Sequence, residues 1–177
     1  MEINFKISKD ELIDFHMEYI DETRVYNQQI RFYTISVLVV LLGLLLLLRS
    51  ALYTITGLII YSVFFLFRKR IFKWRLMKKV SKIYESEIYT NIFETTHLSF
   101  IEDGIKTSTK FSEKIFKWSA IKGLYLVAQY ILIQTINSEN LLIPIFSFNS
   151  VEDRELFLCI IIKNTKLELK NEYPNDV

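Results

Sequence analysis

FYTISVLVVLLGLLLLL, residues 32–48, and SALYTITGLIIYSVFFLF, residues 50–67, carry no charged side chain, and only Arg49 stands between them. Each stretch is about 17 or 18 residues, so a helix over either rises roughly 26 Å at 1.5 Å per residue. A bilayer's hydrocarbon core is about 30 Å thick, which puts both at the short end of the spanning range. Helices that are apolar on all sides need lipid or a large protein core around them. A chain of 177 residues has little left to cover two of them. The pattern therefore predicts a two-helix transmembrane hairpin over 32–67, turning at Arg49-Ser50-Ala51. Gly43 and Gly57 are the candidate points of close backbone approach.

The flanks set the orientation. Arg68-Lys69-Arg70-Ile71-Phe72-Lys73-Trp74-Arg75-Leu76-Met77-Lys78-Lys79 holds seven basic residues and no acid, and Arg24 and Arg31 precede the first stretch. Lys and Arg stay on the cytoplasmic side, so both termini are expected in the cytoplasm of a multi-pass cell-membrane protein. The residues singled out as topology anchor and lipid-headgroup contact are Arg68, Lys69, Arg70, Lys73, Trp74, Arg75, Lys78 and Lys79. Cations near an anionic leaflet attract it, and tryptophan favours the headgroup level. A cleaved secretory signal does not fit, because the apolar run starts late and Asp10, Glu11 and Asp14 precede it.

Outside the hairpin the periodicities change. Ile3, Phe5 and Ile7 alternate as in a half-buried strand, and Ser8 or Asp10 can cap a following helix that is expected to run into residue 32. His16 on that helix is expected to be packed rather than a ligand. Residues 68–90 read as a basic juxtamembrane helix. From there, period-two strands follow over THLSFI (96–101), IKTSTKF (105–111), KIFKWSAI (114–121), GLYLVAQ (123–129), YILIQTI (130–136) and LLIPIFSF (141–148). Asp103-Gly104 signals a hairpin whose central residues take positive φ. Asn137-Ser138-Glu139-Asn140 is a second turn. Pro144 cannot donate to a ladder, so its strand belongs at an edge or a bulge. Ser150 caps a last helix containing LFLCIII, residues 156–162. That run is apolar all round, so it is expected to be covered on both sides, with Cys159, the single cysteine, as a core residue. Residues 167–177 read as a polar, frayed tail.

The order is thus an amino-terminal strand and helix (1–31), a transmembrane hairpin (32–67), a basic helix (68–90) and an antiparallel β domain closed by one helix (91–166). With DGI at 103–105, WSAI at 118–121, YILIQ at 130–134 and LIP, F-x-S-x-E-D and LF across 142–157, the chain resembles the YcxB-like family of bacterial membrane proteins. The resemblance implies an α+β fold with a pleckstrin-homology-like carboxyl-terminal domain. In that family the strand before the helix often carries two basic residues after isoleucine-proline. Here Ile145 and Phe146 replace them, so an anionic contact that relatives make through those cations is not expected of this chain. Ile145, Phe146, Phe148 and Phe157 are instead the expected partner surface. Trp118 is expected to be architectural, its indole N–H satisfied within the sheet.

Chemistry is sparse. Two histidines and one cysteine, widely spaced, make no metal set, and no phosphate-binding loop, dinucleotide fingerprint or nucleophile elbow occurs. The apolar stretches hold no ionisable residue, which argues against proton relay or ion transport. Thr34, Ser36, Thr54, Thr56 and Ser62 are their only Ser or Thr residues apart from Ser50 at the turn. Net charge is +2, giving no field to recruit nucleic acid. The expectation is a protein without enzymatic activity or cofactor. Its partners would be the bilayer, a protein or peptide, or a second copy of itself. Immunity against an antimicrobial peptide enters as an analogy of architecture. A structural or oligomeric membrane protein and a lipid sensor are the alternatives.

Overall fold

A computed structural model of the chain describes residues 1–48, 50–137 and 139–174. It is an α+β protein whose chain separates into two compact units, one of Ile13–Ile83 and one of Met1–Leu12 with the chain from Tyr84 onward.

The first unit is helical. Helix α1 (Lys9–Tyr19) starts at a reciprocal cap, the Glu11 amide donating to Ser8 Oγ at 3.2 Å and the Ser8 amide to Glu11 Oε2 at 2.8 Å. The Ser8 amide bonded to the carboxylate, helped by the Ser8 hydroxyl, holds Glu11 below the usual carboxylate range. The expected unbroken run into residue 32 does not form. After α1 comes a 3-10 turn, Ile20–Glu22, and Thr23 donates from its amide at 3.1 Å and its hydroxyl at 2.8 Å to the Ile20 carbonyl. This local hydroxyl bond competes with helix propagation. Helix α2 (Arg24–Leu48) then begins anew, and α3 (Ala51–Tyr84) is continuous through the basic segment. Arg49 of the predicted turn lies outside the described residues.

A Cβ placed on Gly57 would meet Leu41 Cδ1 at 3.1 Å and Leu45 Cδ2 at 3.4 Å, so the helices touch there. A Cβ on Gly43 would meet nothing, and that glycine has no contact role. At the other end Tyr26 and Tyr33 both pack edge-on against Phe72, with centroids 5.6 Å apart in each case. Elsewhere the helices present apolar side chains outward: Phe32, Leu46, Leu47, Leu52, Leu66 and many others are more than half exposed. Thr34, Ser36, Thr54, Thr56 and Ser62 each donate to the carbonyl four residues earlier. By length and composition one helical span, Arg24–Leu47, is suited to crossing a membrane, and only 11% of its most apolar window is buried.

The second unit is built on two four-stranded sheets. One has the order β1 (Glu2–Phe5), β2 (Thr96–Ile101), β3 (Gly104–Ser108), β4 (Glu113–Lys117), antiparallel throughout. The other has the order β7 (Leu141–Pro144), β6 (Tyr130–Thr135), β5 (Ile121–Val127), β8 (Leu169–Lys170). Pro144 is on an edge strand, as its missing donor requires. Residues 109–111, read as strand, leave β3 in a turn where the Thr109 amide donates to the Ser112 carbonyl at 2.8 Å. Ile145–Ser147 is a 3-10 turn rather than strand. Ser138 of the predicted Asn137–Asn140 turn lies outside the described residues; Thr135 Oγ1 donates to the Glu139 carbonyl at 2.6 Å.

Helix α4 (Val151–Thr165) is capped as expected, the Asp153 amide donating to Ser150 Oγ at 3.1 Å. It buries Phe157, Leu158 and Ile161, which join Leu98, Ile105, Leu124, Ile131, Ile133 and Ile143 in the core. Its other face is open, so the expectation of cover on both sides is not met. Cys159 is exposed, because the buried positions fall at 157, 158 and 161 and leave 159 outside that stripe. The tail is not frayed through residue 174. Lys166 takes a left-handed cap (φ 59°), the chain reverses, β8 pairs parallel with β5, and Tyr173 is buried.

Candidate functional site

The cationic half of α3 is where the singled-out residues collect. Arg68 is half-buried, its guanidinium carbon 3.6 Å above the Phe65 ring, and its Nη1 is buried with no hydrogen-bond acceptor. Phe65 lies one turn earlier, where a helical side chain leans naturally. Lys69 and Arg70 are exposed, and the Lys69 carbonyl accepts from the Tyr26 hydroxyl at 3.3 Å. Lys73 forms an ion pair with Asp21 at 3.8 Å. Trp74 is exposed with Lys78 Nζ 3.9 Å over its ring, and Arg75 and Lys79 are exposed.

Two of these cations, Arg68 and Arg75, line one cleft. It lies between α2 and α3 and is lined by Tyr33 and Thr34 from one helix and by Phe64, Arg68, Phe72 and Arg75 from the other, among others. Farther from the apolar stretches, Arg24, Asn27, Gln28 and Arg31 line a polar hollow on α2. Of the cleft's aromatic members, Phe72 is expected from sequence at the headgroup level beside Trp74, whereas Tyr33 and Phe64 were not singled out. The available signal was that these two stand 16 and 15 residues from Arg49 on two antiparallel stretches.

The second group does not form one surface. Phe157 is fully buried against Phe100 and Phe148, with centroids 5.2 and 5.3 Å away, so its place on a partner surface is corrected to the core. Phe148 is half-buried by the same contact, Ile145 is half-buried, and Phe146 alone is freely exposed. Trp118 donates its indole N–H to the Glu102 carbonyl at 3.0 Å and stacks on Phe100, an architectural bond at the β2–β3 turn, although the ring is only half-buried. His16 is packed against Phe15, and burial pushes its imidazole below the usual histidine range. His97 is exposed on β2. No group of three or more His, Cys, Asp or Glu suited to a metal occurs among the described residues.

Comparison of the chain with protein-family models, with curated proteins and with solved structures returns no match.

Proposed function

We propose that the chain is a multi-pass protein of the bacterial cytoplasmic membrane, with both helices of the hairpin crossing the bilayer and both termini in the cytoplasm. There it presents a pleckstrin-homology-like interaction domain to a protein or peptide partner, in the manner of the YcxB-like proteins it resembles. The observation that carries this is the hairpin's surface. Two packed helices expose apolar side chains over 32–67, the Thr34, Ser36, Thr54, Thr56 and Ser62 hydroxyls each bond to a carbonyl of their own helix, and cations begin immediately at Arg68. In hydrocarbon every polar group needs an internal partner, and a cationic collar belongs on the inner side. Immunity against an antimicrobial peptide is the concrete role this architecture favours by analogy.

Cys159 is the only cysteine and is exposed, so it reports the side of the membrane directly. A membrane-impermeant maleimide should spare it in intact cells and label it after permeabilisation. In a Cys159→Ser background, Ser50→Cys should be labelled from outside. The reverse pattern overturns the topology.

For the role itself, expression alone should protect a sensitive cell from a peptide encoded beside the gene, and absence of protection counts against immunity. Self-association is a second reading, favoured by Val151, Leu156 and Ile162 exposed on α4. Dimers crosslinked through Cys159 in native membranes would favour it.

A further inference from the structure

Resting on that membrane reading, we propose that the cleft between α2 and α3 binds the phosphodiester headgroup of an anionic glycerophospholipid, held by Arg68 and Arg75. These residues are seven apart on α3, two turns along one face, and both line the cleft. From Arg24 to Tyr84 the chain contains no Asp or Glu, so neither helix supplies a counter-charge from its own length. The nearby acid Asp21 is engaged with Lys73. No ion pair involves Arg68 or Arg75 among the described residues.

Arg68 is held by packing on Phe65 and not by an acceptor, and its Nη1 is left unsatisfied. A partly buried guanidinium without an acceptor is costly, and a phosphate oxygen is the anion its planar fork fits best. The position is also right. Arg68 is the first charged residue after the uncharged run that ends at Phe67, which places it where hydrocarbon gives way to headgroups. Apart from Thr34, whose hydroxyl bonds to the Ile30 carbonyl, the remaining lining is apolar and aromatic (Ile30, Tyr33, Phe64, Phe72), suited to the glycerol backbone and upper acyl chain. Free phosphate has nothing to place there. Basic pockets between membrane helices on the cytoplasmic side recognise lipid headgroups by the same physics.

The test uses the full chain in neutral detergent, with thermal unfolding followed as phosphatidylglycerol or phosphatidylcholine is added. Phosphatidylglycerol should raise the melting temperature, because ligand bound to the native state stabilises it, and phosphatidylcholine should not. Arg68→Gln and Arg75→Gln should each weaken phosphatidylglycerol binding about tenfold or more, the weight of a lost charge-assisted hydrogen bond to phosphate, which exceeds the roughly fivefold effect of any one cation at an anionic surface. Arg70→Gln, an exposed cation of the same collar, should weaken it far less.

Equal loss from Arg70→Gln would mean diffuse attraction to charge and would overturn the site. An equal response to both lipids, or the same shift from inorganic phosphate alone, would overturn it too. Should the glutamine variants fail to fold, native mass spectrometry of the unmodified protein should still retain phosphatidylglycerol in preference to phosphatidylcholine. A chain that stays monodisperse without detergent defeats the membrane reading itself. A chain that needs detergent but shows no lipid preference defeats only this inference.

Discussion

Gly104 shows how one residue type can serve a purpose other than the one its motif suggests. Asp103-Gly104 marks a hairpin, and the hairpin forms, with Ile101 opposite Gly104. Yet no glycine among the described residues has positive φ, so conformational freedom is not why glycine stands there. A Cβ at 104 would collide with the Phe116 carbonyl oxygen of β4, backbone that cannot move aside without breaking the β3–β4 ladder. Positive φ falls instead on Ala128 (φ 50°), at the turn between β5 and β6. The two positions should therefore respond oppositely to an exchange. Gly104→Ala should destabilise the protein by about 2 kcal/mol or more, as forced overpacking does. Ala128→Gly should leave stability unchanged or slightly raised, since relief of left-handed strain of about 1 kcal/mol offsets the extra unfolded-state freedom. Denaturant unfolding of both variants in detergent checks this, and a harmless Gly104→Ala would show that the close approach is not tight. The hairpin was legible in the sequence, but the reason for its glycine was not, because Phe116 reaches it only through strand pairing.

At the scale of elements, local signals were read well and long-range ones poorly. The strand 96–101 has the expected bounds, Pro144 lies at an edge, and Ser150 caps α4, because alternation, a missing donor and a short hydroxyl act within a few residues. One local feature escaped too: the break at Thr23 interrupts a segment that has no glycine or proline, and it rests on a hydroxyl bonding to the Ile20 carbonyl three residues back. Two others escaped because they depend on distant parts of the chain. Strand β8 consists of two residues in a polar tail and exists only because β5 offers a free edge. Phe157 and Cys159 sit in one uniformly apolar run, where composition cannot tell the core face from the open one; only the sheet beneath α4 decides it. The basic collar was legible as a run of cations. Its division into paired Lys73, stacked Arg68 and cleft-lining Arg75 was not, since that depends on Asp21 of the 3-10 turn reaching Lys73, on Arg68 leaning back over Phe65 of its own helix, and on α2 lying along Arg75.

For the whole molecule, the consequential fact is where the first strand goes. β1 pairs with β2, Glu2 opposite Ser99 and Phe5 opposite Thr96, so in sequence the helical unit falls between two strands that are paired neighbours in one sheet. The domain therefore cannot be obtained by cutting after the helices. A fragment starting at Tyr84 loses Ile3 and Phe5, both buried in the full chain. Burying two such side chains contributes roughly 3–6 kcal/mol, a large share of the 5–15 kcal/mol that typically holds a domain together. The fragment also exposes the unpaired edge of β2, a template for association with other chains. It should unfold at low temperature with a broad transition and aggregate on standing. Joining residues 1–8 to its start through a flexible linker should restore a sharp transition at higher temperature, because the strand then returns to its edge. Calorimetry of the two fragments decides the matter: identical transitions would mean that β1 is an ornament on a sheet complete without it. A clear difference would mean that any partner-binding assay on the sheet-containing unit must include the first strand, since without it the exposed edge would capture chains unrelated to function.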